Sequence, residues 1–483
     1  MENILESYLE STKVKRDDIQ VKLHHPITEV KYPQRFIFEE LKELAKGFYR
    51  NGYEPRMVAL AGLRGVGKTT LLWQLAEEIS HDKIENIYFI NVSTLNSMGI
   101  DLHLALDIFQ KKILKKRFSE YKEPLILFFD EIQDDPKWSI TLKVLFEEAR
   151  SAFIAVTGSS ALLLQSTADL ARRMLTKKVY PFSFTEYCIA KIQLSEKKKK
   201  SELPSKGISD ALKNALFYSE TVAGALNALK ALEIPIEDFL RSREKNIDED
   251  IQKYIDYQNF PALLFYNNRS AATVQLQDLI QRIIYTDIPS LNKERSDTQK
   301  IERLLLRLAA SDEINPEKLA SLIGVKSKEI SDYLELLSKA ELLHILMPYG
   351  GIHSKIMKNR KGYFMSPSLR RALLIKLLGE PLTPEVQSKL IEDTVVMVLK
   401  KIFFLADTLI SFTSGSHEAN PDFIIETRDS PVIIEVGATK RKSRQIENSE
   451  IKSRYGVVIS NGIESPTLVR NVIQLPMKWF LML

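Results

Sequence analysis

Three glycines, a lysine and a threonine stand close together in the segment Gly62–Thr69, which has the sequence GLRGVGKT. An apolar run precedes the segment and a run with helical spacing follows it. Glycines at these positions let backbone N–H groups curl around phosphate oxygens, and Lys68 adds a positive charge there. The Thr69 hydroxyl is suited to binding Mg²⁺. The sequence therefore predicts a nucleotide-binding loop, whose expected lining residues are Gly62, Leu63, Arg64, Gly65, Val66, Gly67, Lys68, Thr69 and Thr70.

Two acids follow a second apolar run, LILFF, at Asp130 and Glu131. The run predicts a buried strand, and ligands bind at the carboxyl ends of strands in open α/β sheets. We expect Asp130 to hold the Mg²⁺ shell and Glu131 to act as the general base that orients an attacking water.

A third apolar run ends in VTGSS, at residues 156–160. Thr157 or Ser159 could lie between Asp130 and the γ-phosphate and report hydrolysis. For either residue alone, an ordinary turn after a strand explains the pattern as well, so both interpretations remain open.

These residues need a scaffold that brings strand ends together. From residue 36 onward, apolar runs alternate with helical runs, which indicates a parallel sheet covered by helices on both faces. The fold class is therefore α/β for this part of the chain. Beyond about residue 186 the pattern becomes mostly helical, and three helical runs and a short strand after residue 291 are typical of a winged helix-turn-helix. Residues 363–483 combine helices with strands as another α/β module.

Composition limits the classes of protein that fit. The 483 residues predict three or four domains, and a net charge of +5 permits contact with nucleic acid without requiring it. The single cysteine, Cys188, excludes an intrachain disulfide and fits a reducing cytoplasm. No apolar run reaches the roughly 20 residues that cross a bilayer, so we expect a cytoplasmic protein without a membrane partner.

Taken together, the motifs resemble the AAA-type prokaryotic ATPases related to the STAND and archaeal-ATPase clades. The resemblance rests on AGLRGVGKTT, LILFFDEIQ, VTGSSALLL and YPFSFTEY, followed by LIQRIIYTDI and GYFMSPSLRRALL. It extends to those members with a winged helix and a C-terminal restriction-endonuclease-like domain. The domains that it implies are an N-terminal extension (1–35), a P-loop ATPase domain (36–185), a helical lid or linker (186–290), a winged helix (291–362) and a nuclease-like domain (363–483).

The resemblance also assigns roles to residues. Lys68 and Thr69 become the Walker A pair, Asp130 and Glu131 the Walker B pair, and Thr157 to Ser159 the sensor strand. Arg173 aligns with an arginine that reaches the γ-phosphate in cis or from a neighbouring subunit, although Arg172 replaces the glycine that usually precedes it. ATP is the expected nucleotide, with ADP as product and Mg²⁺ as cofactor, because NKER at 292–295 is a poor match to a guanine-reading motif.

Contact with DNA is a weaker expectation. The presumed reading helix begins near Lys326 and exposes Lys328, but it also carries Glu329, Asp332 and Glu335, which would repel phosphates. Its alternative role is packing and coupling. Other basic segments are better placed for DNA, namely residues 355–361, with Lys355, Lys358, Arg360 and Lys361, and residues 439–444.

The C-terminal module contains PDFIIETRDSPVIIEVG, at residues 421–437. A hairpin here would place Asp422 opposite Glu435, with Cβ atoms about 4.5–5.5 Å apart. With Glu392 on the preceding helix, these acids form a candidate second metal site of the nuclease type. Gly437 stands where such a nuclease has lysine, and Lys440 and Lys442 are the substitutes that the sequence offers.

Two functions follow from the sequence. The first is an ATPase that couples ATP hydrolysis to a winged-helix and nuclease-like module in DNA processing or defence. The second is a nucleotide-dependent regulatory switch, whose inactive nuclease-like domain binds a protein or DNA. A protein partner or a homo-oligomer is compatible with both.

Overall fold

The computed structural model describes residues 2–159, 168–194, 207–241, 247–291, 296–351, 360–403, 409–413, 420–428, 430–437 and 444–483. The chain forms two compact units, Met1–Tyr180 and Pro181–Leu483. None of the helices among the described residues combines the length and apolar character that a bilayer crossing requires.

The first unit is built on a five-stranded parallel sheet, as the alternating pattern predicts. Its strands follow the spatial order β2-β3-β4-β1-β5. They are β1 (Met57–Ala61), β2 (Ile87–Asn91), β3 (Leu125–Asp130), β4 (Ala152–Gly158) and β5 (Leu175–Lys178). Every residue of β1, β3 and β4 is buried, which explains their continuous apolar runs. Strand β5, with the sequence LTKK, is half-buried, and its charged residues hide it from sequence patterns.

Helices cover this sheet. They are α1 (Glu2–Ser11), α2 (Arg16–Leu23), α3 (Ile37–Asn51), α4 (Lys68–His81), α5 (Val92–Ser97), α6 (Leu102–Ile108), α7 (Trp138–Glu148) and α8 (Ala168–Ala171). A π-helical turn at Phe109–Leu114 continues α6, and 3-10 turns lie at Phe118–Glu120 and Ile132–Asp134.

Residues 1–35, predicted to be an extension, instead belong to the body of the first unit. Leu5 and Leu9 of α1 are buried in the same apolar core as the strands. The next residues pair with the edge strand β2, where Phe89 N donates to Thr12 O at 2.8 Å and Val14 N donates to Ile87 O at 2.9 Å. This pairing covers a sheet edge that would otherwise expose unpaired backbone groups. The boundary at residue 35 is therefore not a domain boundary.

The second unit begins with helices. They are α9 (Phe184–Leu194), α10 (Gly207–Phe217), α11 (Val222–Ala231), α12 (Glu233–Arg241), α13 (Ile247–Lys253), α14 (Arg269–Arg282), α15 (Ile288–Leu291), α16 (Thr298–Ala310), α17 (Pro316–Ile323), α18 (Ser327–Lys339), α19 (Pro367–Leu378), α20 (Pro384–Ile402), α21 (Arg444–Glu447) and α22 (Met477–Phe480). Tyr254–Gln258 and Ile283–Asp287 are π-helical, and Pro261–Leu263 is a 3-10 turn.

A nine-stranded mixed sheet runs through the second unit in the order β13-β14-β12-β11-β10-β9-β7-β8-β6. Its strands are β6 (Glu313–Ile314), β7 (Leu343–Pro348), β8 (Arg360–Phe364), β9 (Ile410–Phe412), β10 (Phe423–Ile425), β11 (Val432–Gly437), β12 (Tyr455–Ser460), β13 (Thr467–Val469) and β14 (Val472–Pro476). Strand β14 ends at Pro476, and α22 follows it directly.

This sheet changes the predicted domain boundaries. Strand β7 pairs in parallel with β9, so the predicted winged helix and nuclease-like domain share one sheet. The boundary expected at residues 362 and 363 falls inside β8, and the one expected at residues 185 and 186 falls inside α9.

The predicted lid helices pack on the C-terminal strands within the second unit. Arg454 Nη1 donates to Ser219 O at 2.6 Å and its Nη2 donates to Phe217 O at 2.9 Å, which satisfies carbonyls at the end of α10. The neighbouring Tyr455 hydroxyl donates to Leu216 O at 3.0 Å. These contacts attach α10 to β12.

Two adjacent buried arginines of α19 tie the second unit together. Arg370 Nε donates to Asp393 Oδ2 of α20 at 2.6 Å, and its Nη1 donates to Asp312 Oδ1, just before β6, at 2.6 Å. Arg371 Nε lies 3.2 Å from Asp256 Oδ1 in the helical segment. Burial raises the pKa of Asp393 to about 6, even though Arg370 favours its charged form.

We predict that Arg370→Met lowers the free energy of unfolding of the protein by about 3–5 kcal/mol, because it leaves the fully buried Asp393 carboxylate without its cation, whereas Asp312 still pairs with Lys389. Denaturant unfolding followed by circular dichroism measures the change. Arg303→Met, at an exposed arginine of α16, is the matched control and should stay within about 0.5 kcal/mol of wild type. Equal losses in the two variants would contradict the prediction.

Candidate nucleotide site

The loop between β1 and α4 has the shape that the glycine spacing predicts. Gly67 has φ 93°, a left-handed conformation that favours glycine, and α4 begins immediately after it at Lys68. At Gly62, a Cβ atom would lie 2.3 Å from Val179 O, so a side chain there would collide with the backbone. The backbone therefore requires glycine at these two positions of the motif.

Lys68 is buried, with 5% of its surface exposed. Its Nζ donates to Gly62 O and to Leu63 O, each at 2.9 Å. The ammonium group is thus held inside the loop by backbone carbonyls, where a phosphate group would meet it.

The Asp130 carboxylate contacts the two threonines that the sequence analysis singled out. Thr69 Oγ1 donates to Asp130 at 3.0 Å from Oδ1 and 3.1 Å from Oδ2, and Thr157 Oγ1 lies 2.5 Å from Oδ1. Burial raises the pKa of Asp130, while the Thr157 hydrogen bond acts in the opposite direction. The structure therefore brings α4, β3 and β4 together at this carboxylate.

The donor set fits Mg²⁺, which prefers oxygen ligands and commonly uses one or two protein ligands together with substrate phosphates. The Thr69 hydroxyl and an Asp130 oxygen are the residues that would hold the ion.

Glu131 is held at several points. Its backbone has φ 54°, which is uncommon for a residue with a side chain, and its N–H donates to Thr157 Oγ1 at 3.0 Å. Gln133 Nε2 donates to Glu131 Oε2 at 2.6 Å, and Arg64 Nη1 lies 3.8 Å from Oε1. The carboxylate of the predicted base is therefore oriented by its neighbours.

Ser159 lies just beyond β4 and is buried. Its N–H donates to Gln133 Oε1 at 3.3 Å. Its hydroxyl has no hydrogen-bond partner among the described residues. Thr157 and Ser159 thus differ, since only the Thr157 side chain is bonded to the acidic pair.

Arg173 is not in contact with the loop or with Glu131 in the described part of the chain. Its Nη2 lies 3.1 Å from Glu147 Oε1 on α7, and its Nη1 donates to Asp169 O at 2.6 Å. Arg172 is exposed beside it. The role of Arg173 at the γ-phosphate stays a prediction.

Two residues at this site were missed by the sequence analysis. Arg35 Nη1 donates to Val66 O in the loop at 2.7 Å, and its Nη2 donates to Tyr180 O at 3.0 Å. Nothing local marks Arg35, because its partners lie 31 and 145 residues away. Gln133 could have been suspected, since it follows the acidic pair by two residues.

The hairpin that carries two acids of the second predicted site is present. Phe423 pairs with Ile434 and Ile425 with Val432, which is the hairpin register that places Asp422 opposite Glu435. Asp422 Oδ2 accepts a hydrogen bond from Val436 N at 2.7 Å, and Glu435 is fully buried. Burial, together with the Asp422 and Asp312 carboxylates, raises the pKa of Glu392 to about 8.

The second metal site stays a prediction. Within the residues that the structure describes, no group of three or more His, Cys, Asp and Glu side chains is arranged to hold a metal ion. Lys440 and Lys442 lie outside the described residues.

The predicted reading helix corresponds to α18. Lys328 and Glu335 are exposed on it, and Glu329 accepts a hydrogen bond from Lys326 N at 3.0 Å, which caps the helix. Arg360 and Lys361 lie in β8, whereas Lys355, Lys358 and residues 439–443 lie outside the described residues.

Comparison with known proteins agrees with this geometry. Residues 54–188 match the family model described as an AAA domain. The matched residues include the loop Gly62–Thr69 and the acidic pair Asp130 and Glu131, and they extend past Tyr180 into the second unit. Residues 248–378 match a family described as a domain of unknown function, DUF8612, which covers α13 to α19.

Relatives are found in archaea. The protein named uncharacterized protein MJ1637 of Methanocaldococcus jannaschii is 28% identical over 461 residues, which cover 94% of this chain and 90% of that protein. The Walker-type ATPase PABY2304 of Pyrococcus abyssi is 12% identical, with 71% of this chain and 96% of that chain covered and a TM-score of 0.41. The ORC2 protein of Aeropyrum pernix is 14% identical, with 75% and 98% covered and a TM-score of 0.35.

We predict that Arg35→Met weakens nucleotide binding about tenfold, because the loop loses the charged donor that holds Val66 O. Titration with a fluorescent nucleotide measures the dissociation constant, and thermal melting checks the fold. Arg50→Met removes an exposed arginine of the same unit and should change the constant by less than about twofold. Unchanged affinity in a folded Arg35→Met protein would contradict the prediction.

Proposed function

We propose that the first unit binds ATP with Mg²⁺ and hydrolyses it. The observation that carries this proposal is the Asp130 carboxylate, which accepts hydrogen bonds from the P-loop Thr69 and from Thr157 beside a buried Lys68. When bound, Mg²⁺ neutralises charge on the phosphate oxygens. Glu131, whose carboxylate lies at the same edge of the sheet, accepts a proton from the attacking water.

Lys68 has two roles in the proposed reaction. Its ammonium group is fixed by Gly62 O and Leu63 O, so it is oriented before a nucleotide arrives. It then exchanges carbonyl contacts for the β- and γ-phosphates and stabilises charge that develops during transfer. ADP is the product.

We also propose that α16, α17 and α18, with the β7–β8 hairpin, form a winged helix, and that α20 with β9 to β14 forms a nuclease-like domain. Three helices followed by a hairpin support the first assignment. The antiparallel pair β10–β11, with Asp422 and Glu435 at its open end, supports the second. The ATPase would couple nucleotide state to these modules in DNA processing or defence, inside the cytoplasm.

A second candidate function is a nucleotide-dependent switch in which the nuclease-like domain is inactive and serves as a platform for a protein or DNA. Gly437 at the lysine position and the lack of a three-ligand cluster among the described residues favour it. The discriminating measurement is ATP turnover with and without DNA. Stimulation by DNA favours the processing function, whereas turnover that DNA leaves unchanged favours a switch read by a protein partner or a second copy of the chain.

We predict that Lys68→Ala abolishes nucleotide binding, whereas Glu131→Gln still binds ATP but loses turnover by about 10²–10⁴-fold. Phosphate release and nucleotide titration separate the two effects. Lys22→Ala, at an exposed lysine of α2, is the control and should behave as wild type. Turnover by Glu131→Gln at the wild-type rate would exclude Glu131 as the base.

The same assay tests Arg173. If Arg173 acts on transition-state charge, Arg173→Ala retains binding and loses turnover by about 10³-fold or more. If it acts from a neighbouring subunit, mixing Arg173→Ala with Glu131→Gln protein restores part of the activity. An unchanged rate in Arg173→Ala transfers the role to Arg172 or removes it.

We predict that the purified protein does not cut DNA with Mg²⁺ or Mn²⁺, because the acids do not form a three-ligand group and Gly437 supplies no cation for the scissile phosphate. Linear, branched and single-stranded DNA should be tested with and without ATP. Cleavage that is lost in Asp422→Ala would overturn the prediction, whereas cleavage that persists in Asp422→Ala would identify a contaminating nuclease.

A further inference from the structure

The Gln133 side chain links two segments of the nucleotide site, the acidic pair and the end of β4. It lies in the 3-10 turn Ile132–Asp134, directly after the acidic pair. Its Nε2 donates to Glu131 Oε2 at 2.6 Å, and its Oε1 accepts from Ser159 N at 3.3 Å. One amide thus contacts both the predicted base and the residue that follows β4.

The end of β4 lies where binding or loss of the γ-phosphate would change the contacts of nearby side chains. Strand β4 lies between β3 and β1, so its carboxyl end adjoins both the acidic pair and the P-loop. Ser159, at this end, is buried, and its hydroxyl has no hydrogen-bond partner among the described residues. Buried hydroxyl groups are usually satisfied, which makes a phosphate oxygen or the attacking water a candidate partner for this one.

The Glu131 carboxylate needs a contact that fixes its orientation, and Gln133 provides one. Its other oxygen, Oε1, lies 3.8 Å from Arg64 Nη1 of the P-loop. A closer ion pair with Arg64 would turn the carboxylate toward the guanidinium group and away from a water. The short hydrogen bond from Gln133 to Oε2 opposes that rotation, because the turn that carries Gln133 is anchored by its own backbone bond from Asp134 N to Glu131 O at 3.1 Å.

We propose that Gln133 is a positioning residue for ATP hydrolysis: it holds the Glu131 carboxylate in register with the end of β4, so that the base is aligned when Ser159 meets the γ-phosphate or the attacking water. This inference rests on the proposed ATPase function. Gln133 does not touch the reacting atoms and acts through Glu131.

The test is ATP turnover and nucleotide affinity of the full chain carrying Gln133→Leu or Gln133→Glu. Gln133→Leu removes the hydrogen bonds to Glu131, Ser159 and Asp134. Gln133→Glu keeps the shape and the acceptor for Ser159 N but places a second carboxylate against Glu131. We expect kcat to fall about 10- to 100-fold in both variants, the cost of a small misplacement of a catalytic group. The dissociation constant for ATP should stay within about twofold of wild type, because the phosphate-binding loop is unchanged.

Asp134→Asn is the matched control. It alters the other contact of the Gln133 amide, to Asp134 Oδ1 at 3.3 Å, and leaves the bond to Glu131 in place. Its kcat should stay within about twofold of wild type. An equal loss of kcat in Asp134→Asn would show that the conformation of the turn, and not the hydrogen bonds of Gln133 to Glu131 and Ser159, determines the rate. That result would overturn the inference.

Wild-type kcat in a folded Gln133→Leu protein would also overturn it. If Gln133→Leu fails to fold in a thermal melt, the isosteric Gln133→Glu decides in its place, and wild-type kcat there overturns the inference equally. Failure of the proposed function gives a different result, since the wild-type chain would then release no phosphate from ATP, and failure of the assigned base would show as wild-type turnover in Glu131→Gln. Loss of activity in Glu131→Gln with full activity in both Gln133 variants overturns only the inference about Gln133.

Discussion

The nucleotide site depends on one buried carboxylate, Asp130. A carboxylate is costly to bury, and two hydroxyl groups, from Thr69 and Thr157, offset the cost by donating hydrogen bonds. These bonds fix the first turn of α4 and the end of β4 relative to β3. The Thr157 hydroxyl also accepts the Glu131 N–H, so the backbone of the predicted base is anchored to the same group. The position of one carboxylate therefore sets the positions of both the predicted metal ligands and the predicted base.

The second unit relies on buried charge in a different way. Arg370 joins α19 to Asp312 and Asp393, while Arg371 joins it to Asp256. Ser366 and Ser368 of the same segment bond Asn259, the first through Asn259 Oδ1 at 2.9 Å. Asp256 and Asn259 lie in and just after the π-helical turn Tyr254–Gln258, Asp312 lies between α16 and β6, and Asp393 lies in α20. Such a network explains why segments that look like separate modules in the sequence form one compact unit.

The C-terminal acids lie close enough to influence one another electrostatically. The hairpin that carries Asp422 and Glu435 is regular, and Asp422 serves a structural role by accepting the Val436 N–H. Glu392 interacts electrostatically with Asp422 strongly enough to contribute to its raised pKa. Burial and this repulsion both disfavour the charged form of Glu392 as long as no cation is nearby.

The sequence by itself determined the elements whose information is local. The glycine spacing at 62–67, the apolar runs before Asp130 and Thr157, and the alternation of strands and helices predict the P-loop, the acidic pair and the parallel sheet. The parallel sheet is confirmed, the loop leads directly into α4, and Asp130 lies at the end of β3 with Glu131 directly after it. The Asp422–Glu435 register was also accessible from the sequence, because a short hairpin pairs residues symmetrically about its turn.

Only the tertiary structure decided which distant residues meet. Arg35 contacts the P-loop, β7 pairs with β9, and Arg370 meets Asp393, yet no periodicity marks any of these contacts. The N-terminal residues likewise joined the core because Leu5 and Leu9 found apolar surface beside the sheet. Such contacts depend on how elements that are far apart in the sequence pack together, and a local sequence pattern does not specify that packing.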